Sequence, residues 1–181
     1  MLSILLAAAL SGAWDDETFL GRGPTVGGGA AVAITRNLSA EGEAAWGTNH
    51  RDSGYLKVDG TASTVTGRLS YAFRNKDATV RPFVSAGVAW RKSTDVFTTP
   101  YVVHGQNIPV EGASQRTTYR TSLTGWEFGT GMEIRASEHF KIRPEARWTM
   151  TASDPSFKPG SLEPPIFVIR GGVTLIWTPR R

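Results

Sequence analysis

The chain has 181 residues, a formal net charge of +4 and no cysteine, which excludes disulfides, thiolate catalysis and cysteine-based metal sites. This length fits a single domain covering residues 1–181. The longest apolar stretch, residues 2–10, is shorter than the roughly 20 residues that a membrane-spanning helix needs. Basic residues alternate with apolar ones instead of forming a run, which argues against nucleic-acid binding.

The first residues allow two interpretations. The apolar stretch 2–10, followed by Ser11-Gly12-Ala13, resembles a signal peptide covering 1–13, although no Lys or Arg precedes it. Alternatively, residues 1–14 form a first strand that ends at Trp14. We prefer the strand, because it raises the number of strands to eight and closure of a bacterial single-chain barrel normally takes an even number.

Seven later segments alternate between apolar and polar side chains. In residues 140–151 the even positions run from Phe140 to Met150 and carry no charge, whereas the odd positions carry all four charges of the segment. A period of two predicts an extended strand with each face in a different environment. The seven predicted strands, in chain order, are 25–35, 38–46, 63–74, 79–91, 125–136, 140–151 and 165–177.

Short and long connections alternate between these strands. The short ones are 36–37, 75–78 and 137–138, and the long ones are 47–62, 92–123 and 152–164. Within the longest, residues 101–103 and 108–110 are possible short strands on either side of His104. Short turns on one side and long loops on the other are typical of outer-membrane barrels, whose short turns are periplasmic.

The positions of the aromatic residues indicate which face meets lipid. The middle of each apolar face is small or aliphatic, and the aromatic residues lie at the strand ends, as in the two interfacial girdles of a membrane barrel. The expected external girdle comprises Trp14, Trp46, Trp90, Trp126 and Trp148, and the periplasmic girdle comprises Tyr71, Phe73, Phe140 and Trp177.

The sequence therefore predicts an all-β fold, an eight-stranded antiparallel up-and-down transmembrane β-barrel integral to the bacterial outer membrane. The alternative is a soluble, lipocalin-like barrel that would place the apolar face inside around a ligand.

The charged face of the predicted strands would fill the barrel interior. Eight strands enclose a space that side chains just fill, and charges buried there need partners. We expect a plugged, salt-bridged lumen rather than an open pore. The predicted network comprises Glu41, Glu43, Arg68, Arg81, Glu127, Glu133, Arg135, Lys141, Arg143, Glu145, Arg147 and Arg170.

Three segments resemble the OmpA/OmpW-like outer-membrane β-barrel proteins. Residues 34–43 are similar to their periplasmic turn and acidic strand, and residues 82–89 follow their pattern P-[FY]-x-x-x-G-x-G, except that Ala89 replaces the last Gly. The final strand, with Gly172, Leu175 and Trp177, resembles the family's C-terminal insertion signal, although the chain continues for four residues beyond the aromatic. The resemblance implies insertion by the barrel assembly machinery and a structural, adhesive or small-solute role.

Catalysis and cofactor binding have little support in the sequence. A lipid A-modifying enzyme needs a His near a Ser and often an acid, and His50 lies three residues before Ser53. We expect neither enzymatic activity nor a cofactor or metal, because the three histidines, which include His104 and His139, are scattered.

The expected partners are outer-membrane lipid and lipopolysaccharide, around a monomeric barrel. The long loop 92–123 has an excess of positive charge that could meet lipopolysaccharide phosphates, but we favour a loop that is simply solvated.

Overall fold

The computed structural model describes residues 6–17, 21–54, 56–73, 78–102, 109–151 and 167–178. Among them no helix is long and apolar enough to cross a membrane. The described residues form eight strands: β1 (Leu6–Glu17), β2 (Gly21–Ala33), β3 (Leu38–Asp52), β4 (Lys57–Ala72), β5 (Val80–Val102), β6 (Pro109–Arg135), β7 (Phe140–Thr151) and β8 (Phe167–Trp177).

Every strand pairs antiparallel with its neighbours in the sequence, and β1 also pairs with β8 to close the barrel. This closing ladder runs from Ala8 opposite Trp177 to Glu17 opposite Val168. The predicted fold class, an eight-stranded antiparallel up-and-down barrel, is confirmed. Strand β1 includes residues 6–14 of the predicted first strand 1–14 and continues to Glu17.

Local side-chain hydrogen bonds shape two of the short turns. Between β2 and β3, the Thr35 hydroxyl accepts hydrogen bonds from the backbone N–H groups of Asn37 at 3.2 Å and Leu38 at 3.0 Å. Between β6 and β7, the Ser137 hydroxyl accepts from the N–H groups of His139 at 3.3 Å and Phe140 at 3.1 Å. Serine and threonine favour turns because they satisfy backbone donors in this way.

Two of the predicted long loops are largely strand, so their predicted extents are wrong. Strand β3 continues to Asp52 before β4 begins at Lys57, which leaves only residues 53–56 between them. Strands β5 and β6 stay in register up to Pro100 opposite Ser114, and Val102 pairs with Pro109 after a register shift. Beyond the membrane the outward face is mostly polar, like the inward face, so these extensions lack the apolar–polar alternation that reveals a strand. His104 and the loop 152–164 lie outside the described residues.

The apolar side chains face outward. Among the described residues, 24 large hydrophobic side chains are exposed and only 8 hydrophobic residues are buried, whereas 18 polar or charged residues are buried. A soluble barrel has the reverse distribution, because its interior is apolar and its surface meets water. The soluble, lipocalin-like alternative is therefore wrong.

Candidate functional site

The lumen contains a network of ion pairs centred on Arg68, which points inward from β4. Its guanidinium nitrogens lie between 2.8 and 3.6 Å from four carboxylates, those of Glu41, Glu43, Glu127 and Glu145. The Arg68 side chain is only 4% exposed, and those of the four glutamates are 3–9% exposed. Each charge is thus removed from water and depends on its neighbours for stabilisation.

Three further arginines balance these carboxylates. Arg143 Nη1 lies 2.8 Å from Glu41 Oε1, and Arg147 Nη2 lies 2.6 Å from Glu43 Oε2. Arg147 also contacts Glu145, and Arg170 Nη1 lies 3.8 Å from Glu43 Oε1. Four guanidinium groups therefore face four carboxylates, so this central network, which we call the lumen network, has no formal net charge.

A smaller cluster lies between the lumen network and the periplasmic turns. Arg81 Nη1 and Lys141 Nζ each lie 3.2 Å from Glu133 Oε2. Arg81 also donates to the backbone carbonyl of Arg36 in the first turn, at 3.1 Å. The guanidinium carbon of Arg143 lies 3.9 Å from the ring centre of buried Phe83, a cation–π distance. These contacts narrow the periplasmic end of the barrel.

Inward-facing glycines make room for the long side chains. A Cβ atom added to Gly129 would lie 2.5 Å from the Ser85 hydroxyl oxygen and 3.4 Å from Arg147 Cγ. One added to Gly131 would lie 2.3 Å from the Pro144 carbonyl oxygen. The wall strand and the charged side chains can approach this closely only because these positions carry no side chain.

Two small cavities border the lumen network. A cavity of about 20 Å³ borders Ser11, Glu41, Glu43 and Arg68, and another of about 10 Å³ borders Arg147 and Arg170. A cavity needs a volume of about 10–15 Å³ to hold one water molecule. Each cavity therefore has room for roughly one water, far less than a hydrated ion or a sugar requires.

The structure places eleven of the twelve predicted network residues in these two clusters. Arg135 differs from the prediction, because its side chain is exposed. It is the last residue of β6, where the strand leaves the barrel and the charge reaches periplasmic water.

A second buried polar cluster, which the sequence analysis missed, lies in the external half of the barrel. Asp95 is 1% exposed, and its carboxylate accepts hydrogen bonds from Asn49 Nδ2 at 3.1 Å and the Ser93 hydroxyl at 2.8 Å. The alternation of side chains could have revealed this cluster, because Ser93 and Asp95 continue the inward-facing parity of Arg91. The sequence pattern predicts loops in both segments involved, 47–62 and 92–123, and so does not predict this cluster.

The described aromatic residues of the predicted girdles are all exposed on the outer face. The external Trp46, Trp90, Trp126 and Trp148 are 42–64% exposed, and the periplasmic Tyr71, Phe73, Phe140 and Trp177 are 45–58% exposed. The side chain of Trp14 lies outside the described residues.

The residues of the predicted insertion signal pair within the barrel wall. Trp177 lies opposite Phe140, and Leu175 lies opposite Ile142. Gly172 faces inward, and a Cβ there would lie 2.6 Å from the Ala13 Cβ, so β8 packs closely on β1 at this position.

The described histidines lie at opposite ends of the barrel. His50 Nδ1 lies 2.7 Å from Asp59 Oδ1 on the exposed external extension of β3 and β4. This hydrogen bond lowers the pKa of the Asp59 carboxyl below its ordinary value. The Ser53 hydroxyl donates to the Leu56 carbonyl instead of to His50. His139 lies in a periplasmic turn, and the described residues contain no cluster of potential metal ligands.

Comparison with known structures supports the membrane fold. Neisserial surface protein A covers 96% of both chains with a TM-score of 0.64 at 11% identity. The N-terminal barrel of OprF from Pseudomonas aeruginosa covers 96% of this chain and 99% of its own, with a TM-score of 0.54 at 18% identity. Ail from Yersinia pestis covers 97% of both chains, with a TM-score of 0.54 at 11% identity.

A sequence comparison with curated proteins gave no match. Residues 5–161 match the family described as "Outer membrane protein beta-barrel domain". This match covers most of the chain and agrees with the inverted distribution of polar and apolar side chains. The chain therefore belongs to the outer membrane protein beta-barrel domain family and is an integral protein of the bacterial outer membrane.

Proposed function

We propose that the protein is a non-conducting and non-enzymatic outer-membrane barrel that anchors an external β-hairpin with a structural or adhesive role. The observation that carries this proposal is the lumen network, in which four arginines and four glutamates occupy the middle of the barrel. In this proposal the network is a plug.

Buried ion pairs oppose the passage of ions because they are costly to separate. An ion that crossed the barrel would have to separate pairs such as Arg147–Glu43 and Arg143–Glu41, whose atoms lie 2.6 and 2.8 Å apart. Leaving one such charge without its partner costs about 3–5 kcal/mol. The two cavities that border the network hold roughly one water each, which supports a lumen too tight for a hydrated solute to pass beside these charges.

Planar-bilayer recordings test the plug. We expect no stable conductance steps from the wild-type protein, even at high protein load. The control is the double variant Arg68→Ser/Glu127→Ser, which removes one charge of each sign and so widens the lumen without unbalancing it. We expect this variant to conduct. Wild-type steps as large as those of the variant would refute the plug.

The hydrogen bonds of the external side chains support the absence of catalysis. A lipid A-modifying enzyme of the serine–histidine type needs its nucleophile within reach of the base. His50 is engaged with Asp59, whereas the Ser53 hydroxyl donates to a backbone carbonyl. Mass spectra of lipid A from cells with and without the protein test this. A modification that the protein adds and that His50→Ala abolishes would overturn the proposal.

The external hairpin of β5 and β6 supports the adhesive role. Strand β6 pairs with β7 only as far as Gly125, whereas it pairs with β5 up to Pro109. The hairpin therefore extends far beyond β7 on one side, and on the other side it continues four residues past the last pair with β4, Lys57 opposite Thr98. Replacing residues 94–120 with a short turn should lower the attachment of expressing cells to surfaces at equal barrel abundance. Unchanged attachment would leave the hairpin a structural role only.

A further inference from the structure

The external hairpin has one face that points sideways, toward the surrounding membrane, and this face is basic. Outward positions alternate along each strand, so Lys92 on β5 follows the lipid-facing Trp90, and Arg116 and Arg120 on β6 share the parity of Trp126. We call Lys92, Arg116 and Arg120 the basic face. All three side chains are exposed.

The pairing register places these residues at successive heights above the external girdle. Lys92 lies opposite Ser122, Arg120 opposite Thr94, and Arg116 opposite Thr98. A strand that rises about 3.4 Å per residue and is tilted by about 45° puts these positions about 5, 10 and 20 Å above Trp90. Trp90 marks the membrane interface, and its indole N–H donates to the Ser122 hydroxyl at 3.0 Å.

The basic face carries no opposing charge on β5 or β6, and the outward acid on the adjacent strand β4, Asp59 opposite Val96, is paired with His50 and Lys57. The other outward positions on this part of the hairpin are Thr94, Val96, Thr98, Ser114, Thr118, Ser122 and Thr124, none of which is acidic. Within the described part of the chain, none of the three basic side chains forms an ion pair. The neighbouring extension of β3 and β4 differs, because Asp59 there pairs with both His50 and Lys57.

We propose that the basic face binds the phosphate groups of lipopolysaccharide in the outer leaflet. Its unopposed positive charge favours an anionic ligand. Because the basic face points sideways just above the aromatic girdle, the anion within its reach is one that belongs to the membrane. Lipopolysaccharide carries phosphate on its lipid anchor and on its inner sugars, which matches basic residues at several heights. This inference goes beyond the proposed function and does not depend on whether the lumen is plugged.

The test compares two variants that lose the same charge. In Lys92→Gln/Arg116→Gln/Arg120→Gln the basic face is neutralised, and the formal net charge falls from +4 to +1. The control removes three exposed arginines that lie off this outward surface, two at the periplasmic end and one at an inward-parity position of β3, which lowers the net charge by the same amount: Arg36→Gln/Arg51→Gln/Arg135→Gln. Both variants are refolded in octyl glucoside, a detergent without phosphate, and checked for the compact unboiled form on a gel.

The measurement is the binding of fluorescent lipid A, with or without its phosphates. One basic residue near an anionic lipid surface contributes about fivefold to binding, so we expect the basic-face variant to bind phosphorylated lipid A about 10- to 100-fold more weakly. The control should lose less than about threefold, since it leaves the basic face intact. The proposal is overturned if both variants lose binding equally or if dephosphorylated lipid A binds the wild type as well as phosphorylated lipid A.

A single charge reversal protects the test against misfolding of the triple variant. Lys92→Glu leaves the two arginines in place and puts an acid closest to the girdle. It should weaken binding of phosphorylated lipid A without changing binding of the dephosphorylated form. Equal binding of phosphorylated lipid A by this variant and the wild type would also overturn the proposal.

Discussion

Replacing Arg68 with methionine should destabilise the barrel strongly, although the two side chains have similar length. Arg68 is the residue that contacts all four carboxylates of the lumen network, at 2.8–3.6 Å. Without it, four buried carboxylates face three guanidinium groups, and the two cavities beside them hold roughly one water each. Removing one partner from a buried ion pair costs about 3–5 kcal/mol, and we expect a loss in this range.

A second substitution should restore part of this stability. Glu127 loses its contact with Arg68 Nη1 at 3.5 Å, but its carboxylate still accepts hydrogen bonds from Thr66 and Thr149, each at 3.4 Å. Glu127→Gln removes the excess negative charge and keeps an oxygen for these hydroxyls. Arg68→Met/Glu127→Gln should therefore be about 1–2 kcal/mol more stable than Arg68→Met alone, a typical coupling for residues in contact.

Urea unfolding of the protein in lipid vesicles, followed by tryptophan fluorescence, measures both effects. The control is Arg116→Met, which removes the same charge from an exposed site and should change the free energy of unfolding by about 0.5 kcal/mol or less. The reasoning fails if Arg68→Met costs less than about 1 kcal/mol, or if the double variant is no more stable than the single one.

Three further predictions test the close packing of the barrel wall, the lipid-facing surface between the girdles and the external pair of His50 and Asp59. Gly131→Ala should impair folding, because its Cβ would lie 2.3 Å from a backbone oxygen, whereas Gly67→Ala, with nothing within 4 Å, should fold normally on the gel assay. Ala86→Arg, in the middle of the lipid-facing belt, should cost about 2–4 kcal/mol in urea unfolding, and a loss below about 1 kcal/mol would contradict a lipid-facing position. The pKa of Asp59 is lowered in the fold, so its hydrogen bond with His50 stabilises the protein above pH 3.8 and is lost as the pH falls through the lowered pKa. An NMR titration should give a midpoint for Asp59 below 3.8 that rises toward this value in His50→Ala.

The membrane-spanning part of the fold could be predicted because strands that cross a bilayer alternate apolar and polar side chains in the sequence. Lipid outside and charge inside require opposite side chains at successive positions, as at Lys141 and Ile142. Above the girdle this contrast disappears, since Thr94, Thr98 and Thr118 meet water on the outward face. Alternation therefore predicts loops in place of the external strands, and it does not reveal the buried cluster around Asp95.

The odd or even position of a residue along its strand also predicts which charged side chains face the lumen, but it does not predict which of them form ion pairs. Arg143 contacts Glu41, although the two residues are 102 positions apart in the sequence and their strands are not neighbours in the barrel. Contacts across the lumen depend on how the strands are staggered around the barrel, and alternation within one strand carries no information about the stagger. Arg135 shows a second limit, because parity does not say where along its length a strand leaves the lumen.

The unbroken pairing of β5 and β6 has a mechanical consequence. The two strands stay in register from Val80 opposite Ile134 to Pro100 opposite Ser114, so the hairpin has no hinge where it leaves the membrane. The hydrogen bonds of antiparallel strands run perpendicular to the chain, so a pull on the hairpin along its strands loads them in shear. On the β4 side that load is divided among all the pairs from Lys57 opposite Thr98 to Ala72 opposite Phe83. A force applied at the cell surface is thereby transmitted to the barrel wall as a whole, and no single contact has to bear it.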